Sequence, residues 1–364
     1  MHHERLLTNS SPLWLELERL LRHDPQHRGI PSLIEADSAS EILQLRQVAI
    51  AFHETARIVA IVTGFSIIQD GHVAGETDGP PGALYLARAL LELGIEVVLI
   101  SDGVSLPLLQ SGCDHWGLPR NILREFPFES ADPDANSRRS NEAPHLRVSD
   151  AWVQAFLSDN LGSRLTHLVA IERVGPSHTP ESLVRQPHTD EAPVALFLKE
   201  VAPEHYDVCH NMRGIPVDVY TAKTHRLFEL VAERRPEVVT VGMADGGNEI
   251  GMGRFPWEVI RRTIAASHGG AIACRIATDH LMLSGVSNWS AYAVALSLCQ
   301  LRGKGHLATR WDIQDQNDLI ETLVRDAGAV DGVTGHRTAS VDGLSLDVYL
   351  QTLGDLRCLL GHQP

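Results

Sequence analysis

The loop from Asp245 to Gly253 carries residue types that could do chemistry. An acid pair, an amide and four glycines fall within nine residues. Neighbouring carboxylates can take up and release protons, and an amide can donate to a developing oxyanion. Glycine lets a ligand approach the backbone closely. The loop therefore predicts a small-molecule site, with catalytic candidates Asp245, Asn248 and Glu249 and substrate-binding candidates Gly246 and Gly247.

A buried strand is predicted directly before this loop. Val238 to Val241 is an apolar, β-branched run, which is typical of a strand in a parallel sheet. Ligands of open α/β sheets bind beyond the carboxyl ends of the strands, which is where the loop would lie. A plain solvated turn before the helix that Pro256 begins is the alternative. Neither GxGxxG nor GxxxxGK[ST] spacing is present, so no nucleotide cofactor is expected.

Further polar clusters follow other predicted strands. Arg57 to Thr63 leads through a polar loop to acids placed just before a helix, where Asp78 could be a helix cap. Leu165 to Ile171 ends in an acid and an arginine, and arginine is the usual partner of a carboxylate. We predict substrate contacts from the residues of these clusters: Glu76, Thr77, Asp78, Gly79, Glu172, Arg173, Asn211, Arg213, Ser287 and Asn288.

The order of predicted elements indicates the fold class. Strands alternate with helices, which predicts a mostly parallel, doubly wound, Rossmann-like α/β sheet with N-terminal helices. We divide the chain into an N-terminal helical segment, residues 1–56, and one α/β domain, residues 57–364. Residues 127–147 are predicted as a loop, and residues 176–206 show no clear periodicity. Parallel strands end at one edge, so the polar clusters should converge there.

Composition excludes several classes of partner. The 364-residue chain has a net charge of −15, which argues against nucleic acid and against an anionic membrane surface. No apolar run is long enough to span a membrane. The five cysteines are widely spaced and form no CxxC, which predicts reduced thiols in the cytoplasm. A small molecule is the expected partner, and the last helix could make a contact between copies of the chain.

Five motifs together carry a family resemblance. In chain order they are ETDGPPGA, IER followed by a glycine, HNMRG, DGGNEIGMG and GVSNW. The set resembles the D-glutamate cyclase family, in its C-terminal cyclase-like domain, over about residues 57–330. The resemblance implies a lyase that converts D-glutamate, an amino-acid substrate, to 5-oxo-D-proline and water.

That reaction assigns expected roles to the motif residues. The α-amine of the substrate attacks its own γ-carboxyl group, so a base and an acid are needed, and Asp245 and Glu249 are the candidates. Asn248 and Asn211 could stabilise the oxyanion. Arg173 and Arg213 are expected to bind the two carboxylates of the substrate, and Glu76 or Asp78 is expected to bind its ammonium group.

Three alternatives remain open from the sequence. The carboxylates could instead hold a divalent cation, Mg²⁺ or Mn²⁺, because both ions take oxygen ligands. The chain could be a non-catalytic module that binds an amino acid or a nucleotide. It could also be a lactam or amide hydrolase that runs the same chemistry in reverse.

Overall fold

The computed structural model describes residues 12–36, 44–129, 147–186, 193–264 and 268–361. Two kinds of strand occur in these ranges, those of one large central sheet and those of two small hairpins. In chain order the strands are β1 Ile58–Thr63, β2 Ser66–Gln69, β3 His72–Gly75, β4 Glu96–Ser101, β5 Leu123–Glu125, β6 His167–Ile171, β7 Val239–Ala244, β8 His280–Leu283, β9 Ser340–Val341 and β10 Leu344–Ser345.

The central sheet has six strands in the order β5-β4-β1-β6-β7-β8. Every neighbouring pair in it is parallel. In chain order, β1, β4 and β5 therefore extend the sheet from its centre to one edge, and β6, β7 and β8 extend it from the centre to the other edge. This is the doubly wound order of a Rossmann-like fold, and it confirms the predicted fold class. The order reverses between β1 and β6, so a crevice is expected beyond their carboxyl ends.

Alternate residues of the strands enter two separate hydrophobic cores. Val59 and Ile61 of β1 belong to one core, whereas Ala60 and Val62 belong to the other. Successive side chains of a strand point to opposite faces of its sheet, so both faces are covered. The strands are accordingly apolar without interruption, as the sequence indicates for a parallel sheet.

Helices cover both faces of the sheet. Pro193–Glu200 and the short Pro180–Val184 fall in the stretch 176–206, which the sequence left unassigned. The helices are α1 Pro12–Leu21, α2 Ile30–Ala36, α3 Gln44–Thr55, α4 Pro80–Glu92, α5 Leu106–Trp116, α6 Val148–Ser158, α7 Pro180–Val184, α8 Pro193–Glu200, α9 His225–Arg234, α10 Trp257–Thr263, α11 Gly269–Ile272, α12 Ser287–Leu301, α13 Ile313–Ala327 and α14 Leu346–Leu359.

Helix α12 is buried on almost all sides and packs directly against α4. The close approach depends on Gly82, where a Cβ atom would lie 2.6 Å from Asn288 Oδ1 and 3.1 Å from the Cβ of Ala291. Both helices begin at the carboxyl edge of the sheet. Their N-termini, which carry the positive ends of the helix dipoles, therefore lie side by side at that edge.

Two β-hairpins also stand at this edge. Asp70 and Gly71 join β2 to β3 with φ of 50° and 78°, and Asp342 and Gly343 join β9 to β10 with φ of 54° and 75°. An Asp-Gly pair with positive φ at both positions is the signature of a tight two-residue hairpin turn. The prediction of a polar loop in the first region is wrong, because Asp70 and Gly71 turn the chain into a hairpin.

The N-terminal helices share the main core. Leu13, Trp14 and Leu17 of α1 belong to the same buried cluster as Val59 and Ile61 of β1. Most of the predicted loop 127–147, namely residues 130–146, lies outside the described residues. Within the described part of the chain, no helix has both the length and the apolar character needed to cross a membrane.

Candidate active site

A cavity of about 610 Å³ opens beyond the carboxyl ends of β6 and β7. Five carboxylates contribute to its lining, together with apolar side chains from the β2–β3 hairpin and from nearby loops. The carboxylates that line it are Glu76, Glu172, Asp245, Glu249 and Asp342. All five are buried.

The loop after β7 places Asp245 and Glu249 in this cavity. Asp245 is the first residue after the strand, so the sheet fixes its backbone. Gly246 leaves room for the Glu249 carboxylate, because a Cβ atom there would lie 2.8 Å from Glu249 Oε1. The side-chain amide of Asn248 donates to the carbonyl of His210 at 2.8 Å. Asn248 Oδ1 and Glu249 Oε2 have no hydrogen-bond donor among the described residues.

Glu172 enters the cavity from the end of β6 with an unusual backbone. Its φ is +45°, a region that residues other than glycine rarely adopt. Its Oε2 atom accepts a hydrogen bond of 2.6 Å from Ser287 Oγ at the start of α12. Residues held in such backbone conformations concentrate at functional sites.

Asp78 lies directly behind the cavity and caps α12. Its carboxylate accepts the backbone N–H groups of Ser287, Asn288 and Gly79, each at 2.9 Å. The Ser287 N–H also lies 3.3 Å from Asp245 Oδ2. Asp78 is therefore a cap, as the sequence allowed, but it caps a helix distant in the chain.

Asn288, Thr77 and Gly79 shape the site without lining it. Asn288 Oδ1 accepts from the N–H groups of Gly79 at 3.0 Å and Gly82 at 2.7 Å, and its amide donates to the Thr77 carbonyl at 3.1 Å. Gly79 has φ of 93°, and a Cβ atom there would lie 2.9 Å from the Cβ of Glu172. These residues fix the acidic loop against two helix N-termini.

Arg28 lines the cavity but is not among the residues predicted from the sequence. It reaches the cavity from the loop between α1 and α2 and pairs with Asp245 and with Asp342, the latter at 3.2 Å. Asp24 orders this loop by accepting the N–H groups of Arg28 and Gly29 at 3.0 and 2.9 Å. The sequence around Arg28 carries no motif that would have pointed to it.

Asp342 is the second residue that was missed. It sits at the turn of the β9–β10 hairpin, and its side chain faces Arg28. Asp331 holds the neighbouring loop by accepting from Val333 N–H at 3.0 Å and Gly343 N–H at 2.8 Å. The Asp-Gly pair signals the hairpin, but it does not indicate that the aspartate is buried.

Arg173 lies away from the cavity, in contrast to its predicted role. Its guanidinium pairs with Asp102 at 2.6 Å and donates to Thr224 Oγ1 at 2.9 Å. It also donates to the carbonyls of Gly64 and Ala222. These contacts use the guanidinium to join the ends of β4 and β6, so it is not available to a substrate carboxylate.

Arg213 and Asn211 lie at the cavity mouth. Arg213 is exposed and donates to the Val333 carbonyl at 3.1 Å. Asn211 Oδ1 accepts the backbone N–H groups of Arg213 and Ile215 at 2.9 and 3.0 Å, which fixes the local turn. Both residues line the cavity, so they can reach a bound molecule from its open side.

Burial raises the pKa values of the site carboxyls. Burial and the neighbouring carboxylates hold the pKa of Glu76, Glu172 and Asp245 well above the usual range, although Arg28 opposes the rise at Asp245. Burial raises the pKa of Asp78 and of Asp342 to about 7. Near neutral pH the cluster therefore contains carboxyl groups that can donate a proton beside others that can accept one.

The same oxygens could hold a metal ion. Among the described residues, two groups of three carboxylates have ligand atoms within 4.8 Å of one another, and both groups include Asp245. All-oxygen ligand sets suit Mg²⁺ or Mn²⁺. The groups are Asp78 with Asp245 and Asp342, and Glu172 with Asp245 and Glu249.

Comparison with known proteins identifies the family. The chain matches the family described as "D-glutamate cyclase-like, C-terminal" over residues 17–183 and 182–357. The protein belongs to this D-glutamate cyclase-like family. It is 31% identical over 304 residues to the mitochondrial D-glutamate cyclase of Homo sapiens. That match covers 82% of this chain but only 40% of the human protein.

The structure brings most of the predicted site residues of this family member to one place. Those that line the cavity are Glu76, Glu172, Asn211, Arg213, Asp245, Asn248 and Glu249. Thr77, Asp78, Gly79, Ser287 and Asn288 lie behind it, and Gly246 and Gly247 form the turn between its acids. Among the predicted site residues, Arg173 points away from the cavity and pairs with Asp102.

Proposed function

We propose that this protein converts D-glutamate to 5-oxo-D-proline and water. Family membership supports the reaction class, and the human relative is named as a D-glutamate cyclase. The observation that carries the proposal is the meeting of buried carboxylates with Arg28 and Arg213 around one cavity. Such a site offers acids, bases and cations to a substrate that has one ammonium and two carboxylate groups.

The reaction moves protons within the site without net uptake. The α-amine nitrogen forms a bond to the carbon of the γ-carboxyl group, and the bond from that carbon to one carboxylate oxygen breaks. Two protons leave the ammonium group and both end on the departing oxygen, which becomes water. Neighbouring carboxyls that exchange protons near neutral pH are suited to this transfer. Because the attack is intramolecular, the main task of the protein is alignment.

The geometry favours particular roles. We assign the first proton transfer to Asp245 and the delivery to the departing oxygen to Glu249, whose carboxyl groups face the same cavity. Asn248, held in place by the His210 carbonyl, is placed beside the developing oxyanion. Glu76 would receive the ammonium group, and the arginines at the cavity, Arg28 and Arg213, would receive the carboxylates.

The direct test is incubation of the purified protein with D- or L-glutamate. We expect 5-oxo-D-proline from D-glutamate, identified by chiral chromatography and mass, and no product from L-glutamate. Parallel samples contain a chelator or added Mn²⁺. Turnover that persists with the chelator indicates proton transfer by carboxyl groups, whereas turnover that requires Mn²⁺ indicates catalysis through a bound cation. Binding of D-glutamate without turnover would make the protein a binding module. Formation of D-glutamate from 5-oxo-D-proline alone would make it a hydrolase.

We also propose a cytoplasmic location and contact between copies of the chain. All five cysteines are free thiols, four of them buried, which suits a reducing compartment. Fractionation of cells that express the tagged protein tests the location. Light scattering of the purified protein at several concentrations tests the contact between copies.

A further inference from the structure

The charges around the cavity suit an ammonium group better than two carboxylates. Five carboxylates line the cavity and Asp78 lies directly behind them. Arg28 is already paired with Asp245 and Asp342, and Arg213 stands at the exposed mouth. The γ-group of a bound substrate must lie near Asp245 and Glu249 for the bond to form. A second carboxylate at that position would be buried among acidic side chains, with Arg28 already shared between Asp245 and Asp342, and its desolvation costs free energy.

The cavity also has an apolar side that glutamate would not use. Phe65 and Ile67, two residues apart on the same side of the hairpin, line one wall, and Met212 and Val333 lie at the cavity as well. A volume of about 610 Å³ is in the range that holds ligands much larger than an amino acid. This apolar wall is therefore available to a substituent that is apolar and uncharged.

The apolar wall is fixed relative to the acids. The N–H group of Glu76 donates to the Phe65 carbonyl at 3.1 Å, so the hairpin strand and the acidic loop are joined directly. Ser66 Oγ donates to the Tyr220 carbonyl at 2.7 Å on the other side of the hairpin. A substrate with its amine at Glu76 would therefore present its γ-substituent to a wall that is already in place.

We propose that this site also cyclises γ-amides of D-glutamate, in which a neutral amide replaces the γ-carboxylate and carries an apolar amine. This inference rests on the proposed function, because it uses the same nucleophile and the same acids. It deepens that function by naming a substrate class with one carboxylate, one ammonium group and an apolar γ-substituent. An amide carbonyl is also a better electrophile than a carboxylate.

The chemical step balances without water or any co-reactant. The α-amine nitrogen forms a bond to the carbonyl carbon of the γ-amide, and the bond from that carbon to the amide nitrogen breaks. The ammonium group releases two protons. One goes to the departing nitrogen to give the free amine. If the released amine is basic, the second proton converts it to an ammonium ion. If the released amine is an arylamine, the second proton passes to solvent. The products are 5-oxo-D-proline and the amine.

The experiment compares γ-D-glutamyl-p-nitroanilide, D-glutamine and D-glutamate on the same preparation. Absorbance follows released p-nitroaniline, and chiral chromatography identifies 5-oxo-D-proline. We expect kcat/KM for the anilide to exceed that for D-glutamate by about tenfold or more, because the anilide does not bury a second carboxylate among the acidic side chains. The N-acetylated anilide, which has no nucleophilic amine, should release no p-nitroaniline.

A variant in the wall tests whether the substituent binds there. Ile67→Asp should lower the ratio of kcat/KM for the anilide over that for D-glutamate by about tenfold or more, because one apolar contact is worth this much discrimination. Ile67→Leu should keep the ratio. Val348→Asp, a change at an exposed apolar residue outside the cavity lining, should also keep it. An unchanged ratio in folded Ile67→Asp would overturn the inference.

The outcomes separate this inference from the proposed function. Turnover of D-glutamate with an inert anilide overturns the inference and leaves the proposed function standing. Turnover of the anilide without turnover of D-glutamate overturns the proposed function and leaves the inference standing. Release of p-nitroaniline from the acetylated anilide shows hydrolysis and overturns cyclisation of amides. Folded protein that acts on none of the compounds overturns both.

Discussion

Arg28 and Asp245 form an ion pair between the N-terminal segment and the end of β7, with Asp245 buried and Arg28 half-buried. The other side of the guanidinium pairs with Asp342 at the β9–β10 turn. One side chain thus joins three distant parts of the chain inside the cavity. We therefore propose that the segment predicted as residues 1–56 works as part of the same functional unit as residues 57–364.

Arg28→Met should lower kcat/KM for D-glutamate by about 10–100-fold, the effect of losing a hydrogen bond between charged groups. The variant removes a cation from a cluster of carboxylates and from the proposed carboxylate contact. Steady-state kinetics and thermal melting of the same sample provide the measurement. Arg22→Met is the matched control, because Arg22 lies near the same loop and pairs with Glu18 outside the cavity lining. Equal kcat/KM in both variants would limit Arg28 to a structural role.

Asp245→Asn should remove most activity and leave the fold intact. Asparagine keeps the shape of the side chain but cannot take up a proton, and acid–base groups contribute roughly 10²–10⁴-fold in rate. Turnover and melting temperature should be measured on one preparation. Full activity with a lowered melting temperature would make Asp245 a structural residue. Turnover that returns with added Mn²⁺ would make it a metal ligand.

The sequence predicted the sheet because its signal is local. Apolar, β-branched runs such as Val238 to Val241 mark buried parallel strands, and their carboxyl ends fix the positions of Glu172, Asp245 and Ser287. The convergence of these residues follows from strand direction alone. Chain topology thus made most of the cavity predictable.

The orientation of the arginines was not predictable in this way. Arg173 is the second residue after β6, yet its side chain turns away from the cavity to pair with Asp102. Arg28 comes from a loop with no recognisable motif and fills the place that was predicted for Arg173. Which way a side chain points at a strand end depends on long-range partners, and the linear sequence does not show them.

Asn288→Ala should destabilise the fold by about 1–3 kcal/mol, because it leaves buried donors at Gly79 and Gly82 without their acceptor. Urea unfolding at neutral pH provides the measurement. Asn288→Asp keeps an acceptor for both N–H groups but loses the donation to the Thr77 carbonyl. Its effect on the free energy of unfolding should therefore differ from that of Asn288→Ala. Asn121→Ala, at an exposed asparagine, is the control for general loss of an amide. Equal stability of Asn288→Ala and this control would contradict the role assigned to Asn288.

The stability of the protein should depend on the protonation of Asp342. Burial raises the pKa of Asp342 from 3.8 to about 7, so the folded state binds a proton that the unfolded state has lost between these values. The free energy of unfolding contributed by this group is therefore fully present below about pH 4 and falls as pH rises towards 7. Asp342→Asn imitates the protonated form and should remove this dependence. Urea unfolding at several pH values between 4.5 and 7.5 measures it.

The comparison of wild type with Asp342→Asn isolates this group from opposing ones. Burial lowers the pKa of His167 to about 4, which makes the fold less stable as pH falls from 6.5, but His167 is present in both proteins and cancels in the difference. Asp70→Asn is the matched control, because Asp70 occupies the same position in the other Asp-Gly turn, with φ of 50°, and is exposed. We expect the advantage of Asp342→Asn over wild type to grow with pH, and that of Asp70→Asn to stay constant. A pH-independent difference at Asp342 would show that its carboxyl does not titrate in this window.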